Sequence, residues 1–123
     1  MKSNAVVVIT GASSGIGLAC AKAFFEYGCS IVVASRNLEA LHQLGLDLKA
    51  DESRFLAVKT DVAVESDCKH LIEVTVSKFG RIDVLVNNAG VTMRALFRDV
   101  DIDVLRQLMD VNYWGVVYCT KFA

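Results

Sequence analysis

The sequence has no proline and no repeat or low-complexity tract, so nothing in its 123 residues reads as a linker. Charge is sparse and balanced, with 13 Lys and Arg against 14 Asp and Glu and a formal net charge of −1. That balance leaves no basic field for nucleic acid or anionic lipid. No apolar run approaches the ~18 residues that would read as a membrane span. The four cysteines, Cys20, Cys29, Cys68 and Cys119, contain no C-x-x-C pair, and His42 and His70 lie near no cysteine pair. Zinc sites are built on such spacings, so no metal site is expected, and neither is a disulfide framework. Reduced, buried thiols in a cytoplasmic protein are the expectation instead.

What is present is apolar: 54% hydrophobic residues against 22% charged. A chain of this length is one domain at most and is long enough for a real core. The opening "MKSNAVVVITGASSG" carries one Lys and a short apolar run that leads straight into a glycine loop, so it reads as a first strand and not as a signal peptide. From there the pattern alternates. Strands are expected at 5–10, 30–35, 54–60 and 82–87, the first a continuous apolar β-branched run of the kind buried on both faces. Helices are expected at 16–27, stopped by Gly28, at 37–49, and at 65–79, where Cys68, Leu71, Ile72, Thr75, Val76 and Phe79 share a stripe before Gly80. A last helix begins near Asp101. This order implies a parallel, doubly wound α/β sheet with right-handed crossovers, and ligands of such sheets bind beyond the carboxyl ends of the strands.

The residues after each strand are therefore the candidates. After the first comes "TGASSGIG", with glycines spaced G-x-x-x-G-x-G, a variant of the dinucleotide fingerprint. Gly11 suits a tight exit from the strand, Gly15 a close approach of backbone N–H groups to a phosphate, and Gly17 close packing of the helix. Ser13 and Ser14 add hydroxyl donors, and a pyrophosphate would sit over the helix N-terminus. No G-K-[ST] follows, so this is not a Walker loop. After the second strand comes "ASRN". Residues 30–38 hold no acid to bind a ribose 2′-OH, and Arg36 stands where a 2′-phosphate would be met, which favours NADP(H) over NAD(H). After the third comes "TDV". Its Asp61 could cap a helix or accept from an adenine amino group, or serve as the phosphorylated acid of a receiver domain. The last needs acids at the end of strand one to hold Mg²⁺, and there is none between Met1 and Glu26. After the fourth comes "NNAG", a loop of small residues suited to pass close under a flat ligand.

Together, Thr10–Gly17, Ser35-Arg36, Asp61-Val62, Asn87–Gly90 and Asn112 resemble the short-chain dehydrogenase/reductase family, in order and spacing over essentially the whole chain. The resemblance implies a Rossmann-type sheet in the order 3-2-1-4, a nicotinamide cofactor, and hydride transfer between an alcohol and a carbonyl. It implies cofactor contacts at Gly11, Ser13, Ser14, Gly15, Ile16, Arg36, Asn37, Asp61, Val62, Asn88 and Gly90, with Gly17, Ser35 and Ala89 of the same motifs completing the set. For Asn112 it implies a supporting catalytic role in a proton relay through water. On its own residues, Asn112 is a polar amide on an apolar stripe with Leu105, Leu108, Met109 and Val116, a stripe expected to face the sheet. Burial there without partners would cost ~1–3 kcal/mol, so a packing or helix-kinking Asn with a satisfied amide is the other reading.

The family's Ser and Tyr-x-x-x-Lys are not in these residues. The tyrosines Tyr27, Tyr113 and Tyr118 are followed four positions later by Ile31, Val117 and Phe122, and no Ser occurs after Ser77. The expectation is thus an N-terminal cofactor-binding half, residues 1–123, of an NADP(H)-dependent enzyme cut before its second half. The alternative is a nucleotide-binding or regulatory module without catalysis. Thr92 and Met93 are candidate substrate-wall positions. The end "VNYWGVVYCTKFA" is apolar on a second stripe too, with Val104, Val111, Trp114 and Tyr118. Such a helix is central in a larger protein or forms an interface; in the resembling family it commonly joins subunits, so a homodimer or homotetramer is expected.

Overall fold

A computed structural model describes residues 4–91 and 96–123. Four parallel strands, β1 (Val6–Thr10), β2 (Ser30–Ser35), β3 (Phe55–Lys59) and β4 (Val84–Val86), lie in the order β3-β2-β1-β4. Three helices cross between them: α1 (Gly15–Tyr27), α2 (Leu38–Asp47) and α3 (Glu65–Phe79). After β4 come a short 3₁₀ turn (Phe97–Asp99), helix α4 (Ile102–Met109), a π-helical turn (Asp110–Trp114) and helix α5 (Gly115–Phe122).

The alternation of side chains along each strand divides the core in two. Val7, Ile9, Ile31 and Val33 face Ala21 of α1 and Leu41 and Leu44 of α2. Val8, Val32, Ala34 and Val58 face Cys68 and Leu71 of α3 and Cys119 of α5. Every residue of β1 is buried, which explains why it is written as an uninterrupted apolar run instead of an alternating one. Register then aligns the strand ends. Thr10 pairs with Ala34, Ala34 with Val58, and Ile9 with Val86, so four loops leave the sheet at one level.

β2 and α3 have the expected bounds and α1 starts one residue earlier, at Gly15, while β1, β3, α2 and β4 are one to three residues shorter than their patterns suggest. Asn37 lies outside α2 because its side-chain oxygen accepts the Ala40 N–H at 3.1 Å, as an N-cap. β4 ends at Val86 because the next N–H groups, of Asn88 and Ala89, turn toward the Thr10 hydroxyl at 3.1 and 3.0 Å. The final helix differs most. The stripe of Leu105, Leu108, Met109, Asn112 and Val116 was expected to face the sheet, yet Met109 and Val116 are 51% and 37% exposed, while Gly115 and Cys119 are buried. The π-helical turn holds one more residue than an α-turn and shifts the inward face at that point.

Candidate functional site

The four loops enclose a cleft of about 320 Å³ at the carboxyl ends of the strands. Its floor and walls come from every strand end: Gly11, Ser13 and Ser14 after β1; Ser35, Arg36 and Asn37 after β2; Asp61 and Val62 after β3; Asn88, Ala89 and Gly90 after β4. These are eleven of the fourteen cofactor positions expected from the sequence, and four further wall residues, Ala34, Thr60, Val91 and Val111, complete the lining. The remaining three, Gly15, Ile16 and Gly17, form the first turn of α1 beside the cleft. Thr92 and Met93 lie outside the described residues.

The glycine loop is built by close approaches. At Gly11 (φ +64°) an added Cβ would stand 2.8 Å from Ala89 Cα and 2.9 Å from Asn88 Nδ2, so β1 leaves the sheet directly against the NNAG loop. Gly17 was expected to bring α1 close to the sheet. Its tight neighbour is the loop instead, since a Cβ there would lie against the Gly11 carbonyl oxygen and Asn88 Nδ2. Gly15 (φ +58°) differs, with no atom within 4 Å of an added Cβ. The open space lies at the N-terminus of α1, where Ser14 makes no side-chain cap hydrogen bond and the first turn carries no acid. The orphan N–H groups and dipole of a helix start favour an anion, and none is supplied internally here.

Thr10, which the sequence reading placed within a motif without giving it a role, is the joint between the two loops. Its hydroxyl is buried and accepts the N–H groups of both Asn88 and Ala89. Asn88 Nδ2 donates back to the Gly11 carbonyl at 3.1 Å, so the glycine loop and NNAG move as one unit. Asn87 Nδ2 donates to Thr120 Oγ1 of α5 at 3.2 Å and ties the same loop to the last helix.

On the β2 side, the Ser35 hydroxyl accepts the Asn37 N–H at 2.9 Å, which holds the backbone around Arg36. Arg36 is exposed and has no carboxylate partner among the described residues, and it also lines an adjoining cleft of about 590 Å³ under α4 that shares Asp61, Val91 and Val111. Asp61 closes a turn by accepting the Ala63 N–H at 3.0 Å on Oδ1, and its own N–H goes to Asp67 Oδ2 at 2.9 Å.

Asn112 sits in the middle of the π-helical turn, where its amide takes the Val91 N–H at 2.8 Å and returns Nδ2–H to the Val91 carbonyl at 2.7 Å. An added Cβ at Gly90 would come within 3.2 Å of Asn112 Oδ1, so the small residue of NNAG makes room for this amide. The side chain of Asn112 therefore holds a cleft wall through one accepted and one donated bond. Val91 was not singled out from the sequence, and no local signal could have found it.

Among the described residues no group of three or more His, Cys, Asp or Glu side chains is placed to hold a metal ion. No described helix is long and apolar enough to cross a membrane.

A model of short chain dehydrogenase sequences matches residues 5–123. Uncharacterized oxidoreductase YxnA of Bacillus subtilis (strain 168) is 44% identical over 118 residues, which cover 96% of this chain and 33% of that protein. A 3-ketoacyl-(acyl-carrier-protein) reductase from Brucella melitensis, solved with NADH, superposes with a TM-score of 0.89 at 33% identity, over 95% of this chain and 47% of that one. A short chain dehydrogenase/reductase from Burkholderia phymatum, solved with NAD, superposes with a TM-score of 0.92 at 29% identity, over 99% of this chain and 44% of that one. The chain thus spans about a third of the curated relative and a little under half of these two solved chains.

Proposed function

Because the chain belongs to the short-chain dehydrogenase/reductase family, we propose that residues 1–123 are the cofactor-binding half of an NADP(H)-dependent oxidoreductase acting between an alcohol and a carbonyl. One observation carries this reading: loops from all four strand ends converge on one cleft, with Arg36, which has no carboxylate partner among the described residues, at the end of β2. The donor set fits the group. The Gly11–Gly17 loop presents the uncapped N–H groups at the start of α1, Ser13 and Ser14 offer hydroxyls, and the Arg36 guanidinium suits the 2′-phosphate that distinguishes NADP from NAD. Asp61 and Val62 would border the adenine, and Asn88, Ala89 and Gly90 the path toward the ring. The bound nicotinamide would supply the hydride chemistry.

Asn112 takes a supporting catalytic role in this reading. That role is part of a proton relay through water, and the two bonds to Val91 hold the residue at the cleft wall. The Tyr-x-x-x-Lys that would exchange the proton with substrate is not among these residues, so the chain by itself binds cofactor without turnover. The four free cysteines, three of them buried, suit a reduced, cytoplasmic setting. Met109, Tyr113, Trp114, Val116 and Val117 form an exposed apolar surface on the last helix that suits assembly into a homodimer or homotetramer.

Calorimetry with NADPH and NADH on this chain and on Arg36→Ala tests the reading. Loss of a charge-assisted contact should weaken NADPH by about 10- to 100-fold and leave NADH nearly unchanged. Equal losses for the two would remove Arg36 from the ribose, and no binding of either would remove the function.

A further inference from the structure

Gly115 opens α5 with φ −58° and ψ −43°, a right-handed helical geometry that alanine adopts as readily. Glycine weakens a helix relative to alanine, so its presence calls for another reason, and the packing supplies one. A Cβ at Gly115 would stand 2.8 Å from Val62 Cγ2, 2.9 Å from Val62 Cβ and 3.2 Å from the Val62 carbonyl oxygen. Val62 in turn forms part of the cleft wall while only 7% exposed, so it is the single layer between α5 and the cleft. Its carbonyl is also held by α3, through Cys68 Sγ at 3.4 Å. A Val62 pushed from behind therefore has one free direction, into the cleft.

The same stretch of helix holds a second wall. Asn112, in the turn just before Gly115, fixes Val91, and Val111 lines the cleft itself. The π-helical turn carries Asn112 and ends at Gly115, so it sets the angle at which the two residues reach their separate walls.

We propose that Gly115 is a positioning residue of the cofactor cleft: the close seat of the α5 backbone on Val62 sets the wall against which the adenosine half of a nicotinamide dinucleotide lies. The proposal rests on the dinucleotide reading above. It assigns the adenosine half because Val62 follows β3, and β3 lies beside β2, whose end carries Arg36 and would meet the adenosine ribose.

The test is a double-mutant cycle read by calorimetry with NADPH, NADH and ADP-ribose. Gly115→Ala overpacks the wall shared by all three ligands and is expected to raise each Kd about tenfold, unlike Arg36→Ala, which separates NADPH from NADH. Val62→Gly removes the two closest atoms. On that background, adding Gly115→Ala is expected to change each Kd by less than about twofold. Unchanged binding by Gly115→Ala, or the same loss on both backgrounds, would overturn the proposal while leaving the dinucleotide reading intact. An unsubstituted chain that binds none of the three ligands would overturn both. If Gly115→Ala does not fold, the double variant decides: folding and binding like Val62→Gly alone supports the proposal, and failure to fold overturns it.

Discussion

The side chain of Asn112 and the backbone of Val91 are joined by two hydrogen bonds, 2.8 Å into Oδ1 and 2.7 Å out of Nδ2, across 21 residues of sequence. The amide copies the pairing of a neighbouring strand and braces the chain where it leaves the NNAG loop. Asn112→Ala leaves both Val91 groups to water. Because the pair is exposed, the expected loss is about 1–2 kcal/mol of unfolding free energy in urea. Asn112→Asp should cost at least as much, since a carboxylate oxygen would face the Val91 carbonyl. A midpoint unchanged by both substitutions would mean that water serves Val91 equally well.

The Thr10 hydroxyl gives a sharper case, because it is buried and accepts two backbone N–H groups. Thr10→Val keeps the shape and removes the acceptor, leaving the Ala89 N–H unpaired and the Asn88 N–H with the Val86 carbonyl at 3.1 Å alone, at about 1–3 kcal/mol. Thr10→Ser keeps the hydroxyl and loses one methyl, at about 1 kcal/mol. Denaturant unfolding of both variants checks the order. If Ser and Val are equally harmful, the methyl group and not the hydroxyl holds the joint.

Gly15 and Gly17 lie two residues apart in one loop and should respond in opposite ways to alanine. At Gly17 a Cβ has no room between the Gly11 carbonyl and Asn88, so Gly17→Ala should separate the two loops and cost more than about 3 kcal/mol. At Gly15 the space is empty, so Gly15→Ala should cost only the left-handed backbone strain of about 1–2 kcal/mol. Its methyl would occupy the open position at the start of α1, so dinucleotide affinity should fall by more than the stability does. Thermal unfolding beside calorimetry separates the two effects. A Gly15→Ala chain that binds normally would place the anion elsewhere.

Much of this was legible because the signals are local. A strand buried on both faces has to be a continuous apolar run, as Val6–Thr10 is, and the chemistry follows each strand within a few residues. The parallel sheet and most of the cleft wall could be read that way, while the strand order was implied by the family resemblance. What escaped depends on contacts between distant segments. The bond from Thr10 to the NNAG loop spans 78 and 79 residues, and that of Asn112 to Val91 spans 21. The last helix misled for a different reason: an apolar stripe drawn at 3.6 residues per turn cannot anticipate a π-helical turn, so Met109 and Val116 were placed inward and Gly115 went unremarked. A glycine within a run of apolar helical residues was the one available hint.

Arg54 offers a test of the fold away from the cleft. The last turn of α1 contains no basic residue, and Arg54, at the start of β3, takes that place. Its Nη2 donates to the carbonyls of Phe25 at 2.6 Å and Cys29 at 3.0 Å, and the guanidinium lies 4.1 Å over the Phe25 ring. These acceptors are neutral carbonyls at a helix end, so the interaction should resist salt far better than a surface ion pair. Its Nε is buried without a partner, which offsets part of the gain. Arg54→Met keeps most of the volume and is expected to cost about 2–3 kcal/mol, the same in low salt and in about 1 M salt. Arg54→Lys keeps the charge but loses the planar stack, and should recover less than half of the loss. Urea unfolding of both variants at the two salt levels checks this, and full recovery by Lys would show that charge alone closes the end of α1.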